Sequence, residues 1–493
     1  MKCNFFGSVL VGGLFLALGG VAQAQATLTD IDQAVKAAQA KQLPVFIDFS
    51  AAWCHSCHAM DANVLNGADW EQRQNRFVLV RSDADSVNGS AWMQKLGVPA
   101  LPTYVVLNQD GTERGRLTGE FTRAAFYPAL DRLLSGAGSR SKLQDDAMHG
   151  STEAVAKVLS DYSDRNQQRE GLRWYASLPM AVRNAVKADA EASTRLAVLQ
   201  AHAERDEMIY AGDREELEAN LRKETDPAKR RAMRGTIASM PPPLSAAKRA
   251  AVAGDCRAHA QQAMNHSSLE LEQHFELAGV LLTCSSPLST PEQKAKALAQ
   301  LRELKALYDE KAPAAGSAAL REGTYTLARY YRSVGDAAGE KAIYQNAIAV
   351  GRKALGNGHG GFDVKRDQAM AEVFEEFLSR YGEPGDKAEE LALQKAMVEA
   401  YPDNAYYQLE YGESLLGQGH TDAALPHLQR AADNASARSK LRYTRSLAKA
   451  LIALNRRPEA EKLFNAALQT ASKEFPNETQ QTMAYWKASG GVL

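Results

Sequence analysis

From Thr29 to about Ser135 the chain alternates two hydrophobic rhythms. Asp30 to Lys41 carries Ile31, Ala34, Val35 and Ala38 at helical spacing, with Thr29 in place to cap a helix. Pro44 to Ser50 is a short apolar run of strand formers bounded by a turn, and a helix is expected to follow from Cys54. Phe77 to Arg81 reads as a second strand and Ser90 to Leu96 as a second helix. Thr103 to Leu107 and Glu113 to Leu117 flank Asn108 to Gly111, a hairpin turn. Thr122 to Leu134 closes the series with an amphipathic helix. This order predicts an α/β layer with a mixed sheet and helices on both faces, over residues 25–136.

The rhythm then changes. Ser135 to Ser141 is small and polar and reads as a linker, placed at 137–144. Residues 145–493 are rich in Ala, Leu, Glu, Lys, Arg and Gln without runs of strand formers, which predicts an all-α region. Breaks are expected at Pro179, Met240 to Pro243, Ser285 to Pro291, Gly356 to Gly361, Gly382 to Gly385 and Pro402. Gly412, Leu415, Gly419, Ala424, Leu428 and Ala431 recur 36 residues later as Ala448, Leu451, Asn455, Ala460, Phe464 and Ala467. A looser copy runs through Ala328, Tyr331, Gly335, Tyr344 and Ala347. The pattern resembles the tetratricopeptide repeat over about 320–475, which implies stacked helix pairs with a concave docking face.

Composition narrows the function class. A chain of 493 residues has room for two to four domains, and 45% hydrophobic with 24% charged residues excludes a disordered chain. Fifty-eight basic against 59 acidic residues give a net charge of −1, so no nucleic-acid partner is expected. Lys2 followed by an apolar run from Phe5 to Ala22, then Ala22-Gln23-Ala24, reads as a signal peptide over residues 1–24, cleaved after Ala24. Cys3 precedes the apolar run, where a lipidation cysteine does not belong. The mature chain is therefore expected in the periplasm, with no membrane span.

Five cysteines are too few to staple the chain, so each needs its own reading. Cys54 and Cys57 stand two residues apart where a strand hands over to a helix. Cys54 would meet the unpaired N–H groups and positive dipole end of that helix, which favour its thiolate. Cys57, one turn inside, would attack a mixed disulfide formed at Cys54. Cys54-His-Ser-Cys57-His58 is also a haem-attachment signature, although a preceding buried strand argues against that. A zinc site would need four ligands, an inert disulfide is a further alternative, and no cofactor is expected. Cys256 and Cys284 read as a structural disulfide between neighbouring helices, with two free buried thiols or a second redox pair as alternatives. The other histidines, His359 included, show no metal-ligand spacing.

Trp53-Cys-His-Ser-Cys57, the strand Val45 to Phe49 and Leu101-Pro102-Thr103 before a strand resemble the thioredoxin family over residues 28–135, and within it the reducing periplasmic modules. The resemblance implies the fold already expected, a cis peptide bond at Pro102 that presents backbone to a client, and a buried acid at Asp48 that moves a proton to or from Cys57. It also implies protein clients with disulfides and a membrane electron donor. The dipeptide His55-Ser56 departs from both the thioredoxin and the strong-oxidant patterns; His55 would favour the thiolate, or face solvent with little effect. Two functions follow: an exported disulfide reductase with a helical docking region, or an interaction scaffold with a passive thioredoxin-like module.

Overall fold

The computed structural model describes residues 28–266, 269–358, 360–489 and 491–493. The signal-peptide reading, Cys3 and His359 lie outside them. The N-terminal part is built from α1 (Ile31–Lys41), β1 (Val45–Ser50), α2 (His55–Asn63), α3 (Gly67–Glu71), β2 (Val78–Asp83), α4 (Val87–Leu96), β3 (Thr103–Leu107), β4 (Glu113–Thr118) and α5 (Arg123–Ser135). The strands form one sheet in the order β2-β1-β3-β4, with β1 parallel to β2 and the other pairings antiparallel. Alternation along β1 sends Val45, Ile47 and Phe49 into a core with Ile31, Trp92 and Val105. Phe46 points to the opposite face, into a second core with Met60, Tyr104 and Phe126. The sheet is thus mixed and covered on both sides.

Local differences have local causes. The cap of α1 is Asp30, not Thr29: its carboxylate accepts from the Gln33 N–H at 2.8 Å. Helix α3 carries too few apolar residues to show a period, and it is fixed by burial of Trp70. The stretch read as a linker is already helical from Arg140, because Ser139 caps the helix Arg140–Met148; only residues 136–139 turn.

Beyond it the described residues are helical apart from one isolated bridge, Gly356 to Phe362. From Ser317 the helices run in pairs: 317–334 with 337–355, 368–381 with 387–400, 405–417 with 421–434, and 440–453 with 457–474. The turns after 317–334, 405–417 and 440–453 contain Gly335, Gly419 and Asn455, all with positive φ. Glycine enters that region without a Cβ clash, and asparagine is among the few side chains that tolerate it. Gly412 lets its helix approach the next closely, since a Cβ there would lie 2.7 Å from the Leu428 side chain. Among the other recurring positions, Ala424, Leu428, Ala448, Ala460 and Phe464 are all buried.

Cys256 and Cys284 are bonded and join helices Ala246–Met264 and Leu271–Ser285. They lie in an apolar cluster with Ala201, Ala260 and Val280. The bridge spans a sequence separation of 28 residues, a loop whose closure restricts the unfolded chain by about 3–4 kcal/mol. Cys256→Ala/Cys284→Ala is therefore expected to lose about that much stability in urea unfolding. An unchanged midpoint would show that helix packing alone holds this region.

Candidate active site

Strand β1 ends at Ser50, and the chain turns through Ala51 to Trp53 into α2. Cys54 is the N-cap of α2, with extended backbone, and its sulfur accepts from the Cys57 N–H at 3.2 Å. The two sulfurs are bonded. Both cysteines are nearly buried, among Ala51, Ala84, Met93 and Leu101. Trp53 keeps 43% of its surface exposed while its Nε1 donates to Asp85 Oδ2 at 2.9 Å. Leu101-Pro102 is a cis peptide, and Leu101 lines the cleft beside Cys54.

Asp48 lies in β1 opposite Tyr104, on the sheet face covered by α2. It is 3% exposed, so it is a buried acid. Burial, with repulsion from Asp61, pushes its pKa up to about 7, while Arg81, 3.7 Å away, opposes the shift. A carboxyl group there exchanges its proton near neutral pH.

His55 departs from one of its expected roles. Burial holds its pKa below the usual imidazole value, although Glu372 and Glu376 act in the other direction. Burial thus favours the neutral ring over the cation that would support a Cys54 thiolate.

The helical region packs directly over this site, which the sequence reading did not anticipate. Helix 368–381 packs on α2. From it, buried Glu372 meets His58 Nδ1 at 2.6 Å through Oε1, which also accepts from the Tyr407 hydroxyl. Gln368 Nε2 donates to Tyr407 at 2.7 Å. On the other side, Asn404 Nδ2 donates to the Ala52 carbonyl at 3.1 Å. The 436–439 segment grips the loop after β2: Ser436 Oγ donates to Asp83 at 2.5 Å, and Ser439 Oγ and the Arg438 N–H donate to the Asp85 carboxylate and carbonyl, each at 2.9 Å. The only advance signal was Glu372-x-x-Glu375-Glu376, carboxylates on the buried face of an amphipathic helix, where charge needs a partner.

Between the two parts lies a cleft of about 380 Å³. Trp53, Cys54, His55, Ser56 and Leu101 form one wall; Glu272, Glu276, Arg321, Glu322 and Val373 from three helices form the other. Cys256 and Cys284 are outside it, with both sulfurs buried. Among the described residues no group of His, Cys, Asp and Glu is arranged to hold a metal ion. Nor is any helix long and apolar enough to cross a membrane.

Residues 26–109 match the thioredoxin-like family. The thiol:disulfide interchange protein DsbD of Cronobacter sakazakii is 33% identical over 113 residues, which are 22% of this chain and 19% of that protein. The thiol:disulfide interchange protein TxlA of Synechococcus elongatus is 28% identical over 135 residues, 26% of this chain and 68% of that protein. A thioredoxin from Thermus thermophilus, known from its solution structure, is 26% identical over 23% of this chain and 88% of its own, with a TM-score of 0.21. The chain spans about a fifth of the length of the DsbD proteins it matches.

Proposed function

We propose that this chain, whose N-terminal residues form a thioredoxin-like module, is an exported thiol–disulfide oxidoreductase that reduces disulfides in protein clients. The observation that carries the reading is the Cys54–Cys57 pair at the N-terminus of α2, above a buried acid at Asp48. In the reduced protein, the Cys54 thiolate attacks one client sulfur, the client S–S bond breaks, and the leaving thiolate takes a proton. Cys57 gives its proton to Asp48 and attacks the Cys54 sulfur of the mixed disulfide. The second client thiolate leaves, and two electrons have passed from the pair to the client.

The direction of transfer rests on electrostatics. A strong oxidant stabilises its reduced form, with the thiolate held by positive charge. Here burial favours the neutral form of the imidazole next to Cys54, and the wall facing it is rich in carboxylates. That surrounding disfavours the thiolate and lowers the potential. Export and the assignment of residues 1–24 as a cleaved signal peptide are supported by the N-terminal apolar run and by a second, buried disulfide. We assign residues 25–136 to the redox module, 137–144 to its connection, and 145–493 to the helical region. The pairs within about 320–475 act as tetratricopeptide-like client-docking repeats, and a membrane protein supplies the electrons.

Equilibrating the pair with glutathione buffers tests this reading. A potential near that of thioredoxin, about −270 mV, is expected. A value near about −120 mV would make the protein an oxidant and overturn the direction, and a pair that never cycles would leave the helical region as an interaction scaffold.

A further inference from the structure

The cleft at Cys54 gathers more carboxyl groups than it has cations to pair with them. Glu272 and Glu276 project from helix 271–285 and Glu322 from helix 317–334, all on the wall opposite the disulfide. Burial, with repulsion from Glu120, Glu322, Glu276 and Glu270, raises the Glu272 carboxyl to about 7. Glu276 is shifted the same way by burial and Glu322, against Arg205.

The cations nearby are otherwise engaged. Arg321, in the same wall, is bound to Glu376, with Nε to Oε2 at 2.7 Å. Arg205 pairs with Asp206 at 2.7 Å. His202, 6% exposed, turns Nε2 towards Glu276 at 3.7 Å, yet that nitrogen makes no hydrogen bond. Burial and Arg205 push His202 down to about 4, so it brings no charge. Burial favours the neutral form of His55 as well. Trp53 adds a half-exposed indole at the cleft edge, a surface on which a cation stacks favourably.

We propose that Glu272, Glu276 and Glu322 make this cleft selective for clients whose reactive cysteine is flanked by lysine or arginine, presented on an extended segment. The inference rests on the redox reading of Cys54. The volume, about 380 Å³, is that of a small-ligand pocket and takes a few residues of chain rather than a folded surface. A basic flank relieves the repulsion among the carboxylates and brings the neighbouring sulfur to Cys54. One-signed clefts raise encounter rates with opposite charge by about 10–10³-fold, an effect that falls with ionic strength.

Three small disulfides test this with the reduced full-length protein in single-turnover reactions: cystamine, dicationic; hydroxyethyl disulfide, neutral; and dithiodipropionate, dianionic. Each rate is divided by the rate of the same disulfide with dithiothreitol, which removes its intrinsic reactivity. The expected normalised order is cationic, neutral, anionic, with at least about tenfold between the ends at low salt and a narrowing at high salt. In Glu272→Gln/Glu322→Gln the ratio between the ends is expected to fall towards one. Equal normalised rates in the unsubstituted protein, or a ratio indifferent to both salt and the substitutions, would overturn the charge selection while leaving the redox reading intact. Failure of all three disulfides to oxidise the protein would instead remove the redox reading. The salt series needs no substitution, so the test survives a variant that fails to fold.

Discussion

Cys54→Ser is expected to abolish disulfide reduction, with a loss on the order of 10³-fold or more, the scale on which removing a covalent nucleophile acts. Serine keeps the N-cap role, because its hydroxyl accepts from the Cys57 N–H as the sulfur does, so α2 should remain formed. What disappears is the thiolate: an alkoxide is not available at neutral pH, and among the described residues no other sulfur lines the cleft, since Cys57 is buried inside α2 and Cys256 and Cys284 are bonded and buried. Cys57→Ser is expected to fail differently. Cys54 still attacks, but nothing inside the helix releases the product, so the client stays attached. A mixed disulfide that accumulates in Cys57→Ser, and is absent from Cys54→Ser, would be read on a non-reducing gel. The opposite pattern would reverse the assigned roles.

Asp48→Asn is expected to slow release of the mixed disulfide by about 10²-fold and to remove an inflection near pH 7 from its rate profile. The ionised carboxylate takes the Cys57 proton, so in the unsubstituted protein this step should quicken as pH rises through about 7. Stability should move the other way. The native pKa of Asp48, about 7, lies above the unfolded value near 3.8, so the native state holds the proton more tightly across that window. Stability is thus fully present below about pH 4 and declines as pH rises to 7, by about 4 kcal/mol for this group. Asparagine carries no such penalty, so the variant should gain relative to the parent in urea at pH 8 and not at pH 4. A rate profile unchanged by the substitution would mean that another base serves Cys57.

The N-terminal fold was legible because its signals are local. Alternation in Val45 to Phe49, the Asn108 to Gly111 turn and the cysteines at a strand–helix junction are each readable within ten residues. The exceptions are equally local: Thr29 and Asp30 are both good caps, and only the backbone chooses between them. In the helical region, Gly419 and Asn455 stood out only as a recurring position 36 residues apart, and both prove to be turn residues with positive φ. The cleft was not legible. Its far wall comes from residues 272–322 and its latch from 404–439, and no periodicity records which helix faces meet across such separations. Helices expected to offer a docking face instead make, in part, contacts with the chain's own redox module.

That arrangement has a consequence in time. A chain emerges N-terminus first, from a ribosome or a translocation channel, and domains fold as units in that order. Residues 28–135 hold every strand of their sheet and can close their core early. Glu372, Asn404 and Ser439, which meet His58, Ala52 and Asp85, arrive 314 to 354 residues later. Until then the cysteine pair has at most the wall from residues 272–322 beside it, without the contacts that tie its module down. The chain's last third thus fastens what its first part folded, and a product cut short before residue 368 would keep the 272–322 wall but lose the ties to His58, Ala52 and Asp85.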